Sequence, residues 1–376
     1  MASASLIALS ASAATAGGID RSGQGIAPLF EAGNYGELSF GSVNPDVDGT
    51  DIIGFQTQEV AGSYFQYGFA FKQDINEKLS YAIILDQPFG ADIYYPTFLE
   101  GGSPVLGGTN AQTTATALTT YLRYKFDERI SVYGGLRGQH ASGEIDLNGL
   151  AYGPFSGYNV TLDDDIALGY SVGASYEIPE IALRVSLTYH SKVTHEMDTV
   201  ETFAGALAGF SGTSVTEVET PQSVNLDFQT GIAEGTLLFG QIRWADWSEF
   251  DVDPIAFTTL VNGGTFVKGG GLIDQEDSTT FMIGVGRRFS DAWSGAASVS
   301  YEEETDPLVS PLAPTNGKVG FTLAAIYSQD NFKVTTGINY TKVGDALPET
   351  GTPDVARASM ADNSALGIGM KIGFNF

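Results

Sequence analysis

From Asn34 to the C-terminus, apolar side chains recur at every second position, segment after segment. Ile166, Leu168, Tyr170, Val172, Ala174, Tyr176 and Ile178 alternate with Gly169, Ser171, Gly173, Ser175 and Glu177. Val319, Phe321, Leu323, Ala325 and Tyr327 repeat the pattern, as do Phe332, Val334, Thr336, Ile338 and Tyr340. A helix would need a period near 3.6. Successive side chains of a strand point to opposite faces, so each segment has one greasy face and one small, polar face. Fourteen such segments are read at 34–45, 63–73, 78–87, 113–126, 130–145, 165–178, 180–195, 222–232, 235–249, 278–289, 292–303, 316–327, 331–342 and 364–376. Six short connections, such as Asp74–Glu77 and Ser290–Asp291, alternate strictly with seven long ones: 46–62, 88–112, 146–164, 196–221, 250–277, 304–315 and 343–363. An even strand number with tight turns at one end and long loops at the other predicts an all-β, 14-stranded antiparallel transmembrane β-barrel, its termini at the periplasmic end.

A soluble β-sandwich also alternates. Here the face that water would wet is Gly, Ser, Ala and Thr rather than Lys and Glu, and aromatic residues gather at strand ends, as a membrane girdle requires. Acidic residues dominate the charge, 45 Asp+Glu against 18 Lys+Arg for a net −27, and they sit in long loops or at strand ends, among them Asp46, Asp48, Asp163–Asp165, Glu217, Asp251 and Glu302–Glu304. That balance argues against a nucleic-acid partner. Without cysteine there is no disulfide, thiolate metal site or Cys nucleophile. By parity, arginine at Leu323 or Val172 would face lipid, whereas arginine at Gly173 would face the lumen at lower cost.

Residues 1–16 lack charge and end in Ala14-Thr15-Ala16, a small-x-small cleavage pattern, so they read as the apolar part of a secretory signal. Beyond Ala16 no apolar run is long enough for a membrane helix. Residues 17–33 lack alternation yet carry Ile26, Pro28, Leu29 and Phe30, which need somewhere to bury; they read as an N-terminal hatch, with 34–376 as the barrel. The last strand alternates Leu366, Ile368, Met370, Ile372, Phe374 and Phe376 with Gly367, Gly369, Lys371, Gly373 and Asn375. Phe374 and Phe376 read as an outer-membrane insertion signal for the barrel-assembly machinery.

Several stretches, in order, resemble the FadL/TodX family of outer-membrane hydrophobic-compound transporters. They are Pro28-Leu29-Phe30 ahead of the first strand, Asn44-Pro45-Asp46-Val47 at its end, Leu187-Thr188-Tyr189-His190-Ser191-Lys192-Val193, Trp244-Ala245-Asp246-Trp247-Ser248-Glu249-Phe250, and Phe289-Ser290-Asp291-Ala292-Trp293. The resemblance implies a plugged barrel in the bacterial outer membrane. Long-chain fatty acids or similar apolar compounds would be captured by extracellular loops, held in a lumenal pocket and released sideways at a kink in the third strand. It implies outer-membrane lipid and lipopolysaccharide as surroundings and no cofactor. The kink maps onto Asp86-Gln87-Pro88-Phe89-Gly90-Ala91, where proline cannot donate to the ladder and glycine tolerates a bend. Thr and Val at positions 88 and 90 would restore pairing. Lys268 and Phe266 match the family's ligand-facing position before the tenth strand, and Arg137 and Arg184 face the lumen by parity. The hatch is shorter than the family's and lacks its Asn-Pro-Ala motif, which keeps open the alternative of a general diffusion porin.

Little points to catalysis. His140, His190 and His195 lie in no HExxH pattern, and no G-x-S-x-G elbow is present. Asp46–Asp51 resembles part of a calcium loop but lacks its full ligand set, so no metal site is expected.

Overall fold

The computed structural model describes residues 19–273, 275–351 and 353–376, so the expected signal segment lies outside the described residues. Fourteen antiparallel strands follow one another round a closed wall. They are β1 Tyr35–Asp46, β2 Tyr64–Asp74, β3 Leu79–Asp86 continued by Gly90–Tyr94, β4 Asn110–Lys125, β5 Ile130–Leu147, β6 Tyr158–Ile178 and β7 Leu183–His190 continued by Val193–Phe203. Then come β8 Ser211–Thr220 continued by Ser223–Ala233, β9 Thr236–Ala245, β10 Ser278–Arg288, β11 Trp293–Glu302, β12 Lys318–Gln329, β13 Phe332–Val343 and β14 Ser364–Asn375. β1 pairs with β14 along its whole length, Tyr35 opposite Asn375 and Asp46 opposite Ser364. Closure removes the sheet edges, the arrangement by which strands satisfy their backbone groups inside a bilayer.

Parity assigns the two faces. Leu168 is 80% exposed and Ile368 59%, in line with Val172, Phe321, Leu323, Ile338 and Leu366 on the outer surface. Between them, Ser171, Ser175, Thr188, Asn225, Thr335 and Asn339 point inward and are buried. Charges on the spanning strands pair on the inner face, Arg123 with Glu177 and Lys318 with Glu302. At the short-turn end, aromatic rings form a belt: Trp293 lies 5.1 Å from Tyr327, Phe332 5.0 Å from Phe374 and Phe71 5.8 Å from Phe376. Gly173 is a tight lumenal position rather than a roomy one. A Cβ there would fall 2.4 Å from the Leu187 carbonyl oxygen and 2.4 Å from the Tyr133 ring, so arginine at Gly173 escapes the lipid penalty but meets a steric one.

All fourteen sequence segments become strands, and the largest differences lie toward the long-loop end. Residues 196–221, read as loop, extend β7 and β8 into a hairpin in which His195, Met197, Thr199, Glu201 and Phe203 point inward. The outward set there is Thr194, Glu196, Asp198, Val200 and Thr202, so the alternation persists with mostly polar residues where apolar ones were sought. β6 likewise starts at Tyr158, and Asp163–Asp165 lie within it where its register with β5 shifts between Ala141 and Gly143. The loop after β9 carries a short helix, Ile255–Val261, beginning at Pro254. The main apolar core fills the lumen toward the long-loop end, with Tyr95, Leu106, Tyr158, Met197, Trp247 and Phe257 packed together.

Candidate functional site

The N-terminal segment lies inside the wall. Residues Ala27–Phe30 form one 3₁₀ turn with Pro28 in its first positions, where a missing N–H costs nothing. The turn packs Leu29 and Ile26 against the inward residues Ala70, Ala82, Ile84, Tyr121 and Tyr133. Phe30 meets Tyr133 edge-on at 5.7 Å and has the Arg123 and Arg184 guanidinium groups 4.4 and 4.5 Å from its ring centre. Upstream, Asp20 pairs with Arg243 of β9 at 2.6 Å, and the Ser22 hydroxyl donates to Asp86 at 2.6 Å.

This segment runs beside the break in β3. Between Asp86 and Gly90 the ladder stops, and the freed groups find partners in the N-terminal segment: the Arg21 amide donates to the Pro88 carbonyl at 2.7 Å, and the Gly90 amide donates to the Ile19 carbonyl at 2.8 Å. Asp20 and Phe89 form an antiparallel bridge. At Gly90 the Arg21 side chain occupies the space a Cβ would take, its guanidinium carbon 2.6 Å from the ideal Cβ position, so a larger residue there requires Arg21 to move. Arg21 in turn sits 4.0 Å over the Tyr64 ring. Valine at Gly90 therefore displaces Arg21.

The break opens a window between β2 and β3. Their pairing runs from Asp74 opposite Ser80 up to Phe69 opposite Leu85, then lapses, and resumes above at the Ala61–Ile93 bridge. In the gap the Tyr67 amide turns to the Gln87 side chain at 3.0 Å. A cavity of about 140 Å³ lies there, bounded by Ser22, Ala27 and Pro28 on the lumenal side and by Phe40, Tyr67 and Met370 of the outer surface.

A second cavity of about 80 Å³ lies above the N-terminal segment, among Ile19, Phe89, Leu162, Met197, Val218 and Trp247. Phe89 and Trp247 meet edge-on at 5.5 Å. Among the described residues its lining holds no Lys, Arg, Asp or Glu, and His195 is the one ionisable side chain. His195 is fixed from behind: Asp165 lies 3.0 Å from Nδ1, and the Gln139 amide nitrogen lies 3.2 Å from Nε2 and 3.0 Å from the Thr220 hydroxyl. The two cavities share no lining residue. Ile19 and Phe89 border the upper one, Ser22 and Asp86 the lower one.

The residues singled out from sequence fall into separate places. Ile26, Pro28, Leu29 and Phe30 are together inside the barrel, and Asp86, Pro88, Phe89 and Gly90 are together at the break. Arg137 is buried, bonded to the Thr119 hydroxyl at 3.2 Å and to His190 at 3.3 Å; Arg184 stacks on Phe30. Neither lines the upper cavity. Lys268, 63% exposed, lies 3.8 Å from Glu219, and Phe266 is 47% exposed; both are in the loop before β10 and outside that cavity. Phe374 and Phe376 are exposed at the short-turn end. Sequence reasoning missed the Asp20–Arg243 pair and the cavity lining, which comes from residues far apart in the chain. It also missed a Ser171–His190 contact of 2.6 Å. Both side chains are fully buried, and the Ser171 oxygen also accepts from Tyr121 at 3.0 Å, so this pair is a structural element of the inner wall.

Residues 55–376 match the family model described as outer membrane protein transport protein (OMPP1/FadL/TodX). A FadL homologue of Pseudomonas aeruginosa superposes with a TM-score of 0.76 at 15% identity, covering 93% of this chain and 92% of that one. The Pseudomonas putida toluene transporter TodX gives 0.65 at 15% identity, with 92% and 91% covered. The Ralstonia pickettii toluene transporter TbuX gives 0.61 at 12%, with 93% and 90% covered. A comparison with curated protein sequences gives no match. With the match spanning most of the barrel, this chain is a member of the OMPP1/FadL/TodX family of outer-membrane transport proteins.

Proposed function

We propose that this protein admits compact, uncharged hydrophobic compounds, of the monoaromatic hydrocarbon kind, and releases them sideways through the β2–β3 window. The observation that carries the reading is the chemistry of the upper cavity, which is apolar and lacks a cationic side chain among the described residues. A carboxylate buried there would lose its hydration without gaining a countercharge. The volume of about 80 Å³ is about half of the ~150 Å³ that holds benzene in a dry engineered cavity, so one small ring fits only as flexible walls such as Met197 adjust. A long acyl chain is a poor fit. TodX and TbuX, whose barrels this one resembles, are toluene transporters by description.

The lateral route follows from solubility. Each CH₂ exposed to periplasmic water costs roughly 0.8 kcal/mol, so an apolar solute favours lipid over axial exit. Residues 19–33 act as the hatch: the strip from Ile19 to Ser22 and the β3 break stand between the two cavities. A solute passes when that strip shifts. Lys268 and Phe266, on the loop surface, serve in early capture. The test uses the absence of native cysteine. Tyr67→Cys and Gln87→Cys, joined by a short bismaleimide, pin the window shut. Uptake of labelled toluene into proteoliposomes should fall to the protein-free rate, and labelled oleate should show no saturable uptake in either form. Toluene uptake unaffected by the crosslink would defeat the lateral route; saturable oleate uptake would defeat the neutral-solute reading.

A further inference from the structure

The wall parts at a second place, between β6 and β7. These strands pair from Ile178 opposite Leu183 up to Ser171 opposite His190, and again from Leu162 opposite Thr199 to Tyr158 opposite Phe203. Between the two ladders, residues 163–170 run beside 191–198 without ladder pairing. The lapse between β2 and β3 is of similar length, 62–68 beside 86–92.

The cause is a mismatch of phase. On β7 the neighbours His190 and Ser191 are both buried, and on β6 the neighbours Asp163 and Asp164 are both exposed, so each strand slips phase once. Between the slips, inward Ala167 and Gly169 of β6 lie abreast of outward Lys192 and Thr194 of β7. Residues paired across a ladder share a face, so no ladder forms there. Side chains take its place. The Tyr170 amide donates to the Ser191 hydroxyl at 2.9 Å, as the Tyr67 amide does to Gln87 in the other lapse. Higher up, His195 Nδ1 of β7 lies 3.0 Å from the Asp165 carboxylate of β6. On the outer surface Ile166 and Leu168 are 70% and 80% exposed, against 47% for Val172 of the same strand, where the ladder is intact.

The upper cavity lies directly behind this gap. Its lining takes Leu162 from one bank and His195 and Met197 from the other. His195 is fully buried, whereas its partner Asp165 is part-exposed, so the pair reaches from the cavity lining across to the opposite bank.

We propose that the β6–β7 gap is a second lateral gate, leading from the upper cavity out over Ile166 and Leu168, and that the His195–Asp165 contact bolts it shut. The gate rests on the reading of the upper cavity as the solute site. While bolted it passes nothing, so pinning the β2–β3 window still silences the protein. With the bolt released, the strands bow apart between the two ladders that bound the gap.

Spin labels on Leu168→Cys and Thr194→Cys, outward positions on the two banks of a chain without native cysteine, read the gate by double electron–electron resonance in vesicles. Asp165→Ala should add a population longer by about 5 Å, one strand spacing. Asp164→Ala, which removes an exposed neighbour 3.5 Å from His140, should not. Heat-modifiable gel mobility checks that each variant folds. In the protein crosslinked between Tyr67→Cys and Gln87→Cys, Asp165→Ala should restore saturable toluene uptake, and Asp164→Ala should leave it at the protein-free rate. Unchanged distances in Asp165→Ala, or the same shift in both variants, overturn the bolt. Longer distances with uptake still at the protein-free rate overturn passage through the gate. Failure of the uncrosslinked parent to carry toluene would defeat the solute reading instead, and the distances would then decide whether the strands part.

Discussion

Leu323 and Val319 offer a test of depth within one strand. Both are on the outer face of β12, and they are almost equally exposed, 48% and 49%. Leu323 sits midway along Lys318–Gln329, between Ala297 of β11 and Ile338 of β13. Val319 lies one residue from the long-loop end, between Tyr301 and Lys342. Area burial alone would predict similar costs for the same substitution at the two sites. The bilayer does not: arginine costs about 2–4 kcal/mol at the midplane and about 0–1 kcal/mol near the interface, where it can snorkel to headgroups. Leu323→Arg should therefore lower the folding constant by roughly 30- to 1000-fold, and Val319→Arg by no more than about fivefold, taking 1.4 kcal/mol per factor of ten. Reversible folding into phosphatidylcholine vesicles, followed by tryptophan fluorescence across a denaturant series, measures both. Equal penalties at the two positions would refute the assignment of this face to lipid.

Gly173→Ala should destabilise by about 1–3 kcal/mol in the same assay, because its methyl meets the Leu187 carbonyl and the Tyr133 ring. Gly90→Val should raise rather than suppress small-ion leak in planar bilayers, since it expels Arg21 from its place over Tyr64; a tighter channel would restore the case for simple strand repair. Deleting residues 19–33 should raise the conductance well above the intact level with the barrel still folded, and an unchanged conductance would show that the segment does not occlude the lumen. Removing Phe376 should lower the yield of assembled barrel in cells while leaving refolding in vitro nearly unaffected, which a comparison of the two yields checks.

The strand count, the lipid face and the closed wall were legible because a period of two is a local property. Leu168 and Val172 point outward and Ser171 and Ser175 inward whatever their partners are, as the exposures bear out. Reading stopped where the outer medium changed. Past His190 the outward residues of β7 are Thr194, Glu196, Asp198, Val200 and Thr202, four of the five polar, and apolar alternation alone reads that strand as loop. The break at Pro88 was also local, since proline lacks the N–H that a ladder requires. What fills the break was not local. Ile19 and Arg21 supply the backbone groups that Pro88 and Gly90 need, across a separation that only closure of the barrel brings together.

The same distinction separates the solute cavity from the residues proposed for it. Lys268 and Phe266 were chosen by position along the chain, yet the loop that carries them lies over the surface. The cavity draws Ile19, Phe89, Leu162, Met197, Val218 and Trp247 from distant segments, each an ordinary apolar residue in its own stretch. Arg137 and Arg184 were placed inward by parity, but their partners, His190 and Phe30, depend on strand register and on where the N-terminal segment lies. Sequence alone determined which side of the wall each side chain faces, because alternation is set by the backbone of a single strand. Which inward side chains meet, and whether they enclose apolar space, was decided by register and closure, which place side by side residues more than two hundred positions apart, such as Asp20 and Arg243.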